Sequence, residues 1–107
     1  MFGKKENNHD LEFFTVYDSK SKSYSEPFPA QNSEVVLRDF HNAFKNPKAS
    51  TENRYYMNAE DFAIFKTGTF DKKTGTLQGS QLEHVVNLHD IRSMSNTESG
   101  PRALLPT

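Results

Sequence analysis

The sequence predicts an α+β fold: a small antiparallel sheet of two β-hairpins packed by one main helix, with a short second helix near the C-terminus. Three observations carry that expectation. Residues 11–18 and 62–70 are dense in aromatic and β-branched side chains with partial period-two alternation, the pattern of half-buried strands. Each stretch runs into a polar turn segment. Between them, residues 33–46 carry apolar side chains at helical spacing.

The first strand covers Leu11 to Asp18, where Phe13, Thr15 and Tyr17 alternate with Phe14 and Val16, so both faces are partly apolar. Residues 18–23 (DSKSKS) supply a polar turn. Alternation resumes at Tyr24, Glu26 and Phe28, and Pro27 and Pro29 confine this return segment to a sheet edge because proline donates no ladder bond. Asn32 or Ser33 then caps a helix, with Glu34 at its positive end. Val36, Phe40, Ala43 and Phe44 form the packing stripe, widened by Leu37. Asn46 and Pro47 end it, since proline lacks the amide donor and turns its predecessor out of helical geometry.

Residues 48–58 read as an ordered loop, followed by a short turn over residues 58–61. The second hairpin is the strongest local signal. Residues 62–70 (FAIFKTGTF) form a strand, the connection Asp71 to Gly75 combines an aspartate that bonds forward amides with a glycine free to take positive φ, and Thr76 and Leu77 begin the return. Leu82, Val85, Val86, Leu88 and His89 follow a helical stripe, which predicts the short second helix through Ile91. The organisation is then a flexible leader at 1–10, a single domain at 11–92 and a flexible tail at 93–107, the last rich in Ser, Asn, Gly and Pro and without a periodic apolar face.

Composition narrows the chemistry. With 107 residues, 13 Lys plus Arg against 14 Asp plus Glu, the chain fits one domain and has no global electrostatic footprint for nucleic acid. Nine Phe and four Tyr make the core aromatic. Zero Cys excludes disulfides, thiolate metal sites and a cysteine nucleophile. No apolar run approaches the roughly 18 residues of a membrane helix, and the first residues lack the apolar stretch of a secretory signal, so the expectation is a soluble, intracellular protein without a membrane partner.

Enzyme signatures are missing. His84 and His89 lie five apart, off a common helical face and outside any zinc-type motif, so no metal and no cofactor is expected. Ser, His and Asp occur without a nucleophile elbow; Glu60 and Asp61 read as carboxylates opposing free amides at a turn; Gly68 and Gly75 make no phosphate loop. No catalytic residue is assigned. The functional pattern is basic: Lys20 and Lys22 at the first hairpin tip, Lys72 and Lys73 at the second, and Arg54 with Tyr55 in the central loop, as contacts for a phosphate backbone and its bases. Tyr17 and Tyr24 near the first tip, and Tyr56 in the loop, add stacking surface. Lysines at hairpin tips also serve simply to keep sheet edges soluble.

These residues resemble a known family, the small nonstructural protein of gokushovirus-type microviruses, which are single-stranded DNA phages. Phe14, Val16, Tyr17, Asp18, Ser19 and Lys20, then Pro27 and Phe28, are similar to its opening strand, turn and return. Arg38, Asp39 and Phe40 resemble its helix, and Asn46 with Pro47 its helix end. The longest similar stretch begins at Asn58, Ala59, Glu60, Asp61 and Phe62, and continues through Ile64, Phe65, Gly68, Phe70, Asp71, Thr74 and Gly75. Where this chain has Ala59, that family commonly carries proline.

The resemblance implies a non-enzymatic phage accessory protein of the host cytoplasm, acting in viral single-stranded DNA synthesis through single-stranded DNA or a viral or host replication protein. The alternative is a self-associating or capsid-assembly module that does not bind nucleic acid, with a homo-oligomer as its expected form.

Overall fold

A computed structural model describes the backbone of residues 10–104 and the side chains of residues 10–96. The fold is the expected α+β class, with five antiparallel strands and four α-helices among the described residues. Expectations for the leader at residues 1–9 and for residues 105–107 lie outside the described residues.

β1 (Leu11–Asp18) is central. One of its edges pairs with β4 (Phe62–Asp71) from Leu11↔Phe70 to Asp18↔Phe62. The other edge is shared by two short strands, β2 (Ser23–Tyr24) and β3 (Phe28–Ala30). The interruption between them follows from Pro27, and Ser25 bridges it: its amide donates to the Val16 carbonyl at 2.9 Å, and its Oγ accepts from the Val16 amide at 3.0 Å. β5 (Thr76–Asn87) pairs with β4 and completes the path β2-β1-β4-β5.

α1 (Ser33–Phe44) starts where expected, and the Asn32 side chain is the cap, accepting from the Val35 amide at 3.0 Å. Residues 48–58, expected as a loop, hold two single-turn helices, α2 (Ala49–Glu52) and α3 (Arg54–Met57). Asn53 caps the second by accepting from the Tyr55 and Tyr56 amides, a local competition with extended backbone that short polar side chains win. The turn expected next is a 3-10 turn over Ala59–Asp61.

The second helix requires a correction. Residues 82–87, expected as helix, are the end of β5, and α4 (Leu88–Leu104) begins six residues later and runs through most of the segment expected as tail. Two register irregularities against β4 explain the misreading, because extra residues on β5 break the period of two and leave Leu82, Val85 and Val86 at spacings that mimic a helix. α4 holds its place by burying Leu88 and Ile91, and Ser95 is buried with its hydroxyl donating to the Ile91 carbonyl at 2.8 Å.

The core lies on one face of the sheet. Phe14, Val16, Phe62 and Ile64 from the strands meet Val36 and Phe44 of α1 and Leu88 and Ile91 of α4. Aromatic edge contacts knit α3 into the same layer: Tyr55 packs on Phe62 at 4.9 Å between ring centroids and Tyr56 on Phe44 at 5.3 Å. Lys66 also points to this side and pairs with Glu12 at 3.4 Å where the helical cover ends.

Candidate nucleic-acid interface

Alternation in the strands sends the remaining side chains to the reverse face, which no helix covers among the described residues. There Tyr24 of β2, Tyr17 of β1, Phe65 of β4 and His84 of β5 form one row across four strands. Tyr17 and Tyr24 are register partners with ring centroids 4.7 Å apart. Phe65 meets Tyr24 edge-on at 5.8 Å and Tyr17 at 6.5 Å, and its register partner His84 meets it at 5.3 Å. The His84 Nε2 is held by Asn87 Oδ1 at 2.9 Å. Tyr24 is 47% exposed, so the row presents ring surface to solvent and is not sealed into a core.

Further along the same face, Phe13 of β1 and Phe70 of β4 make an edge contact at 6.4 Å. Leu77, the register partner of Phe70, stands beside them and is 64% exposed. The face is therefore aromatic or aliphatic over most of the length of β4.

The two lysine tips close its ends. Lys20 and Lys22 lie in the turn after β1, where the Asp18 carboxylate accepts from the Lys20 amide at 2.9 Å and the Asp18 carbonyl accepts from the Lys22 amide at 2.7 Å. Lys72 and Lys73 lie in the β4–β5 turn, fixed by Asp10 Oδ2 accepting from the Lys72 amide and Asp71 Oδ1 from the Lys73 amide, each at 2.8 Å. All four lysines are exposed. Because β1 and β4 are antiparallel, the tips stand at opposite ends of the sheet, separated by about 25 Å at the strand rise of about 3.3 Å per residue. They are not the single basic cluster that a linear reading invites.

Arg54 and Tyr55 do not join them. The Arg54 guanidinium lies over the rings of Tyr55 at 4.8 Å and Phe62 at 5.1 Å, and Tyr55 packs on Phe40 and Phe62, all in the helical layer. Tyr55 is thus engaged in packing where base stacking was expected. Neither Phe65 nor His84 is among the nucleic-acid contacts that the sequence predicts. The alternation of residues 62–70 already places Phe65 opposite Ile64, whereas His84 depends on the bulged register of β5.

Among the described residues no group of three or more His, Cys, Asp or Glu is placed to hold a metal, and no helix is long and apolar enough to cross a membrane. Glu60 is bound to Arg92 and has no part in an acid pair with Asp61.

Fold and face together define a small α+β domain whose sheet carries an aromatic face that no helix covers among the described residues. The chain matches the phage ORF5 protein family over residues 11–91 and belongs to it. No curated protein and no solved structure matches it.

Proposed function

We propose that this phage accessory protein is a non-enzymatic, nonstructural protein of a gokushovirus-type microvirus that binds single-stranded DNA on the uncovered sheet face during viral DNA synthesis in the host cytoplasm. The row Tyr24, Tyr17, Phe65 and His84 carries the reading. Flat rings in a line, flanked by cations, suit unpaired bases strung on a phosphate chain, and each base stacked on a ring is worth about 1–3 kcal/mol. The net charge of −1 argues against a purely electrostatic grip, which makes stacking the main source of affinity.

Lys22 adds a second support. Its φ of 58° lies in the left-handed region, which costs an L-residue other than Gly, Asn or Asp about 1–2 kcal/mol. The turn that its amide closes onto the Asp18 carbonyl sets this conformation and brings a lysine to the position two residues before Tyr24.

The test is fluorescence anisotropy with a labelled oligothymidine and its duplex across a salt series. Binding that prefers the single strand, reduced about 5- to 150-fold in Tyr17→Ala or Phe65→Ala, supports the reading. Absence of oligonucleotide binding at low salt, together with light scattering that reports a closed oligomer, replaces it with the self-associating module. The outer edge of β5, which no strand pairs among the described residues, with Leu77 and Leu82 exposed, is the surface that favours that second reading.

A further inference from the structure

Between the aromatic row and the Lys72–Lys73 turn, the same face holds a shallow cavity of about 250 Å³ whose lining includes Phe13, Pro27, Leu77 and Gln78 with the two glycines Gly68 and Gly79. Its position follows from a cross-strand glycine pair: Gly68 of β4 is the register partner of Gly79 of β5, so two neighbouring strands lack side chains at one spot. The two glycines have different reasons to be there. A Cβ on Gly68 would stand 2.7 Å from the Gln78 carbonyl oxygen, so backbone approach requires glycine. A Cβ on Gly79 would meet nothing within 4 Å, and Gly79 does not sit in the left-handed region, so neither packing nor φ calls for glycine at this strand position. What the missing side chain does leave is the cavity. Phe13 and Leu77 stand beside it.

Resting on the single-strand reading above, we propose that this slot is a base-binding subsite, in which one nucleobase of the bound strand lies against the Gly68–Gly79 backbone beside Phe13 and Leu77. The size favours a single ring: the volume falls below the roughly 300–1,000 Å³ of pockets that enclose larger ligands. The lining is mostly apolar with backbone amide and carbonyl groups nearby, as a ring face with a polar edge requires. Continuity favours a nucleic-acid occupant over a protein ring. The slot lies about 10 Å along β4 from Phe65, at about 3.3 Å per residue, and between it and the open end of the sheet stand the cations of Lys72 and Lys73. A strand that stacks on the row and continues along the sheet crosses the slot before it reaches the second lysine pair.

Gly79→Val tests this directly, because it fills the slot where the structure has room and adds a residue suited to strands. The probe is an oligothymidine long enough to reach both turns, compared with the same oligonucleotide carrying one abasic position at each site in turn. The expected result is about fivefold or greater weakening for Gly79→Val, with the salt slope unchanged, and loss of the wild-type penalty for one abasic position in the variant. Leu77→Ala, at an exposed side chain, gives a second variant in which folding is not at stake, and a smaller weakening of the same kind is expected. Wild-type affinity in both variants overturns the subsite while the row reading stands. Failure of the wild-type protein to bind the oligonucleotide overturns both readings. Binding with no abasic penalty at any position overturns the base subsite and, with it, base stacking on the row.

Discussion

Arg92 and Glu60 tie α4 to the 3-10 turn across the helical layer: Arg92 Nη2 lies 2.5 Å from Glu60 Oε2, while Nη1 of the same guanidinium donates to the Tyr56 carbonyl at 2.8 Å. Side-chain exposure is 18% for Arg92 and 60% for Glu60, so one end of the pair is fixed and the other faces water. The hydrogen bond from Arg92, first, and Glu60's own backbone contact, second, hold the Glu60 carboxyl below the ordinary value of 4.5. A carboxyl depressed in the folded state contributes stability above its unfolded pKa and loses it as pH falls through the folded value. The wild-type protein is therefore expected to lose its advantage over Glu60→Gln as pH drops below 4.5, with the two melting temperatures converging. Melting curves by circular dichroism from neutral pH downward check this, and a gap that widens in acid contradicts it.

Removal of the arginine is a different perturbation. Arg92→Ala deletes the part-buried bond to the Tyr56 carbonyl, of the kind worth about 1.5–3 kcal/mol when a charged group donates, as well as the partner of Glu60. Urea unfolding of Arg92→Ala beside Glu60→Gln checks it: the arginine variant should be the less stable of the two at neutral pH.

Gly68 fixes how closely β4 and β5 approach. An added Cβ at 2.7 Å from a backbone oxygen cannot be relieved by rotating a side chain, so the strands must part. Gly68→Ala is expected to destabilise by about 1–3 kcal/mol, the usual range for overpacking, whereas Gly79→Ala should be near neutral because its Cβ meets open space. Denaturation of the two alanine variants side by side distinguishes them, and equal losses would refute the close-approach argument.

The second hairpin was readable because its information is local: Asp71 and Gly75 set the turn, with Gly75 at φ 73°, and the alternation before it sets the faces. The start of α1 at Asn32 or Ser33 was local in the same way, and Pro47 placed its end within a few residues, the helix closing at Phe44 with Lys45 as its C-cap. The end of β5 was not readable, since its bulged register mimics helical spacing and only pairing with β4 resolves it. The candidate site divides likewise. Lys20, Lys22, Lys72 and Lys73 were identifiable as turn residues, but their distance apart is a property of antiparallel pairing between β1 and β4, which no local pattern encodes. Tyr55 illustrates the converse, a ring in a polar stretch that looks available until Phe40, Phe62 and Arg54 are found around it.

That distinction yields a comparison between tyrosines. Tyr55→Ala removes edge contacts to Phe40 and Phe62 and is expected to cost about 2–4 kcal/mol of stability, near the range for losing a large aromatic from a core. At temperatures where it remains folded, its oligonucleotide affinity should match the wild type. Tyr17→Ala should show the reverse weighting, a clear loss of affinity. Paired melting and anisotropy measurements check the crossing, and an affinity loss in folded Tyr55→Ala would return that ring to the interface.

The separation of the lysine turns sets the last expectation. Two cation pairs about 25 Å apart, estimated from the strand rise, lie beyond the Debye length of about 8 Å at physiological ionic strength, so they should act independently. Each phosphate contact to a single strand contributes about 0.7 to the slope of log K against log salt. Replacing Lys20 and Lys22 by Ala should then flatten the slope by about 1.4, replacing Lys72 and Lys73 should do the same, and the fourfold variant should lose about 2.8. Length matters as well: an oligonucleotide too short to reach both turns should respond to only one pair at a time, because its phosphates cannot occupy both ends together. Salt titrations with a short and a long oligothymidine measure this. A short strand that loses the full slope in the fourfold variant would mean that the lysines act at one place, which the antiparallel register of β1 and β4 does not permit.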